Sequence, residues 1–230
     1  MKLCLATTLV CSLALATAVH AAETVKLFNG KNLEGWTLKG DKAKSKWAVG
    51  FAQLDKEDPA KLIAKDVSAE GTPGLVNVGT GVDLYTNDKF GDCTISLEVM
   101  VPKGSNSGVY VMGEYEVQIL DSWGKEKVTK GDMGGLYNTA EPRKNASKKP
   151  GEWQTLEMVF QAPKFEGDKK TANATFVKVV LNGETIHEHV EMQGPTPACL
   201  TGKESSTGPI MFQGDHGPVA FRNIKVTPKK

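Results

Sequence analysis

The sequence predicts an all-β fold, built as an antiparallel β-sandwich. Three observations predict it. Several short segments alternate apolar and polar residues, which is the period of a strand with one buried face. Glycine and proline separate these segments, as they do at tight turns. After residue 25 no stretch keeps helical periodicity over three turns. Many strands with turns between them and few helices are typical of an antiparallel sandwich.

The predicted strands are rich in β-branched and aromatic residues. In chain order they cover residues 93–99, 109–112, 115–119, 156–160, 175–181, 184–191, 210–213 and 219–226. Asn182-Gly183 predicts a two-residue hairpin turn, because both central positions of that turn need positive φ. Residues 58–67 predict one or two helical turns, with Asp58 as the cap and Pro59 at the first helical position.

The first 21 residues have the pattern of a secretory signal peptide. A basic start at Lys2 precedes an apolar run over residues 3–18, and Val19 and Ala21 supply the small residues that precede a cleavage site. The run is shorter than the roughly 20 apolar residues of a membrane span and is interrupted by hydroxyl side chains. We therefore expect residues 22–230 to form one domain, and the protein to be periplasmic or secreted by a bacterium.

The charge balance excludes some partners. The chain has 28 Lys and Arg against 27 Asp and Glu, and without Lys2 the two signs cancel. A nucleic-acid-binding protein usually carries a basic excess, so nucleic acid is not expected as a partner. No second apolar run reaches membrane length, so no membrane is expected after cleavage. Cys93 and Cys199 remain after the signal, either as one disulfide or as two buried thiols.

Five segments, in order along the chain, resemble the motifs of the 3-keto-disaccharide hydrolase domain family. They are residues 27–36, 102–110, 115–121, 151–155 and 208–224. The resemblance spans essentially the whole chain after the signal and implies a concanavalin A-like jelly-roll sandwich, in agreement with the predicted strands. One departure is Gly214, which stands between Gln213 and Asp215 and leaves open which way Gln213 faces.

The resemblance implies an activity on glycosides whose sugar carries a ketone at C3. Such a ketone makes the proton on C2 acidic, and the enolate formed by its removal can expel the group on C1. The site therefore needs a base for the C2 proton, a donor for the enolate oxygen and an acid for the leaving oxygen. The predicted partner is a carbohydrate substrate, cleaved by hydrolase or lyase chemistry.

Glu116 is the first candidate for this chemistry. Alternation predicts that Glu116 and Gln118 share the strand face opposite to the core, while Asp121 would need a one-residue bulge to join them. The spacing of the three resembles the catalytic strand of laminarinase-type glucanases, which carry acids at all three places. Because Gln118 cannot act as a carboxylate, a retaining mechanism with two carboxylates loses support. The alternatives are a solvated strand face for Glu116 and a turn for Asp121.

His216 and Arg222 are the other catalytic candidates. His216 lies in a glycine-rich turn beside a strand end, and histidine is the usual group for proton transfer near neutral pH. The alternative is a turn histidine bonded to backbone. Arg222 would stabilise the enolate if its strand neighbours the strand of Glu116.

Amide and aromatic side chains are candidates to hold the sugar. They are Gln118, Asn106, Tyr110, Trp123, Tyr137 and Gln213. A divalent ion, such as calcium, held by Glu116, Asp121 and His216 stays open, because an ion could polarise the ketone. No cofactor is predicted with certainty. The alternative function is a non-catalytic, lectin-like carbohydrate-binding module, because a fold alone does not choose between the two.

Overall fold

The computed structural model describes residues 23–66 and 71–229, and the predicted signal peptide lies outside them. The strands are β1 (Val25–Lys26), β2 (Trp36–Leu38), β3 (Trp47–Leu54), β4 (Leu62–Lys65), β5 (Gly74–Asn77), β6 (Leu84–Thr86), β7 (Cys93–Met100), β8 (Asn106–Val111), β9 (Tyr115–Leu120), β10 (Gln154–Gln161), β11 (Lys164–Glu166), β12 (Lys169–Ala172), β13 (Ala174–Leu181), β14 (Glu184–Met192), β15 (Met211–Phe212) and β16 (Val219–Pro228). A single turn of 3-10 helix spans Lys42–Lys44.

The strands form two principal antiparallel sheets. The larger sheet has the order β14-β13-β10-β7-β16-β5-β3-β4, with β1 added to β16. The smaller has the order β2-β6-β15-β8-β9, and β11 and β12 form a separate hairpin. The inward faces of both sheets supply one buried apolar core. The predicted fold class, an all-β antiparallel sandwich, is confirmed.

Aromatic side chains join the two sheets across that core. Phe212 of β15 and Phe221 of β16 stack with their ring centroids 4.0 Å apart, although the two strands belong to different sheets. Trp36 of β2, two strands from β15 in the same sheet, packs against Phe212, and Trp47 of β3 packs against Phe221. Stacked and tilted aromatic pairs of this kind add to the free energy gained by burying their area.

The hairpin prediction is confirmed, and the helix prediction is wrong. Asn182 and Gly183 have φ of 53° and 83° and connect β13 to β14 with Leu181 opposite Glu184. In place of a helix after Asp58, residues Leu62–Lys65 pair with β3 as an antiparallel strand. Asp58 does cap a turn, since its carboxylate accepts a hydrogen bond from the Ala60 N–H, but the turn ends there. Pairing with β3 outweighs local helix propensity in this segment.

The two cysteines of the described chain are free thiols. Cys93 is buried in the core on β7, and Cys199 lies half-buried in the loop after β14. In residues 23–66 and 71–229 no helix has the length and apolar character of a membrane span.

Candidate functional site

The candidate site lies on the outer face of the five-stranded sheet. Tyr115, Val117 and Ile119 of β9 point into the core and are fully buried, so alternation turns Glu116 and Gln118 to the other face. A cavity of about 220 Å³ opens there. It is lined by Asn106, Tyr110, Glu116, Gln118, Tyr137, Pro197, Ala198, Gln213 and His216. The structure thus brings together seven of the ten residues that the sequence suggested.

The edge strand β9 is covered by a loop that closes the site on one side. The Gln118 N–H donates to the Gly135 carbonyl at 2.8 Å, and the Gln118 carbonyl accepts from the Gly134 N–H at the same distance. The Tyr137 N–H donates to the Glu116 carbonyl at 3.1 Å, which brings the Tyr137 side chain to the cavity. These bonds satisfy the backbone groups that an edge strand would otherwise leave open.

Glu116 is a buried carboxyl group with an altered pKa. Its side chain is almost inaccessible, and burial raises its pKa to about 7 because the charged form loses its hydration. The negative charges of Asp215 and Asp83 add to the rise. A hydrogen bond from Tyr110 and the nearby imidazole of His216 act in the opposite direction. A carboxyl with this pKa can both accept and release a proton near neutral pH.

Gly108 makes room for that carboxyl. Gly108 lies on β8, opposite Gln118 and diagonal to Glu116. A Cβ atom added to Gly108 would lie 2.3 Å from the Glu116 Oε1 atom, well inside van der Waals contact. The bare backbone at this position therefore lets the Glu116 side chain lie flat against the sheet.

The Tyr110 hydroxyl is held beside the carboxyl. It lies 3.2 Å from the Pro197 carbonyl oxygen and within hydrogen-bonding reach of Glu116. Its one proton can serve only one of these acceptors at a time. The Gln213 Nε2 donates to the same hydroxyl oxygen at 3.4 Å. Burial and the charge of Glu116 raise the pKa of Tyr110, so it stays a neutral donor.

Two amides are oriented by each other. The Gln118 Nε2 donates to the Asn106 Oδ1 at 2.5 Å and to the Ser107 carbonyl at 3.1 Å. This arrangement presents the Asn106 amide nitrogen as a donor and the Gln118 amide oxygen as an acceptor toward a ligand. The question left open for Gln213 has an answer in the structure, since Gln213 is nearly buried and lines the cavity.

His216 is positioned by a turn that is tied to the core. The Asn77 Nδ2 donates to the carbonyls of Gly214 and Gly217, at 2.9 and 2.8 Å. The Gly214 N–H donates to the Asp83 Oδ1 at 3.0 Å. The His216 Nδ1 bonds to the carboxylate of Asp215, and both of these side chains are half exposed. That bond directs the opposite ring nitrogen, Nε2, away from Asp215.

Asp121 and Trp123 lie outside the cavity lining. The β8–β9 register runs without a bulge to Leu120, so Asp121 does not turn to the face of Glu116. Its carboxylate instead accepts hydrogen bonds from the N–H groups of Gly104 and Trp123, as in a turn. The Trp123 side chain is 51% exposed, with the Lys149 ammonium 5.9 Å from its ring centre.

The prediction that Arg222 would lie on a strand next to that of Glu116 is wrong. It required β16 to neighbour β9, but β16 pairs with β7 and β5 in the other sheet. The Arg222 guanidinium pairs with Glu98 and lies 4.1 Å from the ring centre of Trp153, on the outer face of that sheet. A donor for a developing oxyanion must therefore come from the cavity itself.

The residues do not fit the divalent ion considered from the sequence. Asp121 uses its two oxygens on backbone N–H groups, so Glu116 and His216 lack the third ligand. Within residues 23–66 and 71–229, no group of three His, Cys, Asp or Glu side chains converges in a way that could hold a metal ion.

Sequence reasoning missed the loop that forms one wall. Pro197 and Ala198 line the cavity, and they belong to a segment after β14 without strand or helix pattern. Thr196 attaches this segment to β9, because its hydroxyl accepts from the Glu116 N–H at 3.1 Å and donates to the Glu114 carbonyl at 3.0 Å. These partners are about 80 residues apart in the chain, and no local pattern could have predicted them.

Larger cavities of about 440 Å³ lie elsewhere, but their carboxylates either have hydrogen-bonding or charged partners or, as with Glu157, lie at an exposed strand position. Glu98, over the nine-stranded sheet, pairs with Arg222. Glu114, beyond the loop wall, accepts hydrogen bonds from Thr201 and from the Gly202 N–H. The cavity at Glu116 differs because its carboxyl group is buried without a cation. Its volume lies below the roughly 300–1,000 Å³ of drug-sized pockets, as suits one sugar ring with the remaining substrate outside.

The chain is a carbohydrate-active β-sandwich domain, as its family and its structural neighbour indicate. The family model of the 3-keto-alpha-glucoside-1,2-lyase-like domain matches residues 23–227, and the chain belongs to that family. The family resemblance drawn from the five motif segments is thereby confirmed.

Solved structures support the same fold. A "putative glycosyl hydrolase" from Parabacteroides distasonis ATCC 8503 is 27% identical, with a TM-score of 0.68, over 90% of this chain and 84% of that chain. A second structure of that description, from the same strain, is 18% identical with a TM-score of 0.61, over 90% of this chain and 94% of its own. Among curated proteins, none matches the sequence.

Proposed function

We propose that the protein is an exported enzyme that cleaves 3-keto-glycosides, such as 3-keto-disaccharides, by elimination across C1 and C2. Membership in the 3-keto-alpha-glucoside-1,2-lyase-like family supports this substrate class. Addition of water to the product would make the net reaction a hydrolysis. As an exported protein, the enzyme meets its substrate in the periplasm or outside the cell.

The reaction proceeds through an enolate. A base removes the proton from C2, and the electron pair of the C2–H bond moves into the C2–C3 bond while the C3 oxygen becomes negative. The enolate then reforms the ketone, C1 and C2 become doubly bonded, and the C1–O bond breaks. The leaving oxygen takes a proton from an acid. Water can later add its oxygen to C1 and a proton to C2.

The side chains of the cavity match these requirements. Glu116 acts as the base, because its raised pKa gives the carboxylate a proton affinity suited to neutral pH. His216, supported by Asp215, delivers a proton to the leaving oxygen. Tyr110 and Asn106 donate hydrogen bonds to the developing oxyanion, in the role first considered for Arg222. Gln118, Gln213 and Tyr137 hold hydroxyl groups of the sugar.

The observation that carries the proposal is the buried, cation-free carboxyl of Glu116 across one cavity from His216. Glu116 is the one carboxylate among the residues lining this cavity in the described chain. A mechanism with two carboxylates flanking the glycosidic bond therefore has no support here. A proton transfer at C2 needs one base and one acid, and the cavity offers both.

The test compares substrates and one substitution. Wild type is expected to cleave a 3-keto-disaccharide and to leave the parent disaccharide intact. Glu116→Gln keeps the shape but cannot accept a proton, and we expect turnover to fall by about 10²–10⁴-fold. Glu157→Gln, on an exposed strand position, is the matched control and should keep wild-type turnover.

Two results would contradict the proposal. Undiminished turnover by Glu116→Gln would remove Glu116 from the chemistry. Binding of both sugars by wild type, without cleavage of either, would favour the carbohydrate-binding module instead.

A further inference from the structure

Two separate loops form the walls of the cavity on either side of Tyr110. One is the segment of residues 196–202, which contributes Pro197 and Ala198. The other is the turn of residues 214–217, which contributes His216. Within residues 23–66 and 71–229 neither loop donates a hydrogen bond to the other, so a group that touches both can influence their spacing.

Asp83 is the group that contacts the histidine loop. It is buried at the end of the segment before β6, and its Oδ1 accepts from the Gly214 N–H at 3.0 Å. The Gly81 N–H donates to the Gly214 carbonyl at 2.8 Å, so the segment before β6 forms hydrogen bonds with both the N–H and the C=O of Gly214. A Cβ at Gly214 would lie 2.2 Å from the Val82 carbonyl oxygen, which shows how closely the two backbones approach.

Lys39 contacts the other loop. Its ammonium lies 3.2 Å from the Asp83 Oδ2 and 3.3 Å from each of the carbonyl oxygens of Ala198 and Cys199. The Lys39 N–H also donates to the Asp83 carbonyl at 2.9 Å, which fixes the two residues side by side. The side chain of Asp83 is 8% exposed and that of Lys39 is 34% exposed, so water reaches the Asp83 carboxylate much less than the Lys39 ammonium.

The loop that the Lys39 ammonium contacts has a backbone conformation that is rare for residues with a side chain. Ala198 has a φ of 60°, in the left-handed region that is costly for a residue with a Cβ. Such a conformation persists only where the surrounding contacts hold it in place. The ammonium of Lys39 supplies two of those contacts, at the carbonyl of Ala198 itself and at the next one along the chain.

We propose that Lys39 and Asp83 form a strut that couples the two walls and sets the distance of Ala198 and His216 across the cavity. Lys39 and Asp83 are positioning residues, since neither lines the cavity. The kinetic part of this proposal rests on the proposed function, but the coupling of the walls does not. A strut of this kind orders the sugar-binding cavity before substrate arrives.

The experiment uses four single variants and one double variant of the full chain. Lys39→Met removes the ammonium, Asp83→Asn keeps an oxygen for Gly214 but removes the charge, and Lys39→Arg restores a cation. Lys42→Met, at an exposed position of the 3-10 helix, is the control. Because Lys39→Met leaves a buried carboxylate without its partner, the double variant Lys39→Met with Asp83→Asn keeps the test valid if the single variant fails to fold.

Hydrogen exchange tests the coupling without any substrate. We expect Lys39→Met to speed amide exchange in residues 196–202 and also in residues 214–217, and Asp83→Asn to do the same. Lys39→Arg should restore slow exchange in both segments, and Lys42→Met should leave both unchanged. Faster exchange in only one segment would overturn the proposal, because the walls would then move independently.

Kinetics on a 3-keto-disaccharide separate positioning from mere stability. We expect kcat/KM of Lys39→Met to fall by about tenfold or more at temperatures where it is fully folded, with recovery in Lys39→Arg. Unchanged kcat/KM in the folded variant would contradict a positioning role. If wild type itself cleaves no keto-sugar, the proposed function fails, and the exchange result still decides on the strut.

Discussion

Glu116 and Asp132 show how partners decide the protonation of a buried acid. Both side chains are buried. Burial acts to raise the pKa of Asp132, but hydrogen bonds from Lys125 and Thr129 outweigh it and leave that pKa lowered. Glu116 has no such cation, so burial prevails and its pKa rises to about 7. The difference separates a carboxylate that holds a loop together from one that can exchange a proton.

The pH dependence of kcat/KM follows from this pKa. In the proposed mechanism the carboxylate form of Glu116 is the base, and this form predominates only above about pH 7. We therefore expect kcat/KM to rise as pH increases through about 7, where an exposed glutamate would give a rise near 4.5. A pH profile of wild type and of the control Glu157→Gln measures this. A rate that is constant from pH 5 to pH 8 would show that Glu116 is not the titrating base.

At the scale of an element, the β8–β9 pair carries most of the cavity. Its register places Asn106, Gly108 and Tyr110 opposite Leu120, Gln118 and Glu116. Every second residue of each strand faces outward, so one antiparallel pair supplies a carboxyl, two amides and a phenol. The regular pairing also excludes Asp121, since a bulge would be needed to turn it to the same face.

Gly108→Ala tests the packing of this pair. The added methyl group would meet the Glu116 carboxyl at 2.3 Å and force it away from the sheet. A displacement of about 1 Å can cost on the order of 10²-fold in rate, so we expect a loss of kcat/KM of that size. Gly194→Ala, where a Cβ meets nothing within 4 Å, is the control for an added methyl group. Equal kcat/KM for the two variants would contradict the tight fit of Glu116 over Gly108.

Sequence patterns predicted the elements whose signal is local. Alternation placed Tyr115, Val117 and Ile119 inward, and the Asn182-Gly183 turn was predicted from backbone geometry alone. Strands β3 and β5 were missed, because β3 has mostly intermediate burial without clear alternation and β5 is four residues buried on both faces. The helix over residues 58–67 failed because Leu62–Lys65 pair with Phe51–Leu54 of β3, and this pairing depends on residues outside the segment itself.

From the sequence, only those site residues could be placed whose orientation is set by the period of a single strand. Glu116 and Gln118 follow from the period of one strand. The placing of Arg222 depends on sheet order, which is set by pairing with β7 and β5 rather than by its own sequence. Ala198, Lys39 and Asp83 meet through contacts between distant segments, and nothing in their neighbours along the chain indicates those contacts.

At the scale of the whole molecule, core packing and the site are mechanically connected. Phe212 of β15 stacks on Phe221 of β16 in the centre of the sandwich. The short connection between these two strands contains His216, so the histidine loop is anchored at both ends by the core. Such rigid support suits the acid role proposed for His216.

The charge of the molecule agrees with an uncharged ligand. The whole chain has a formal net charge of +1, and no Lys or Arg lies among the residues that line the cavity in the described chain. An acidic sugar would bring its own carboxylate next to Glu116 without a cation to neutralise it. A neutral keto-sugar avoids this repulsion.

The most direct test of the account is the fate of the C2 proton of a 3-keto-disaccharide cleaved in D₂O. If a base removes that proton, the product is either an enone that lacks it or a 3-keto-sugar that carries deuterium at C2. NMR of the product, compared with substrate kept in D₂O without enzyme, reads the outcome. The proposed elimination predicts complete loss of the C2 proton in the product that the enzyme forms. A product that retains the proton at C2 would contradict it, since the C1–O bond would then have broken without an enolate.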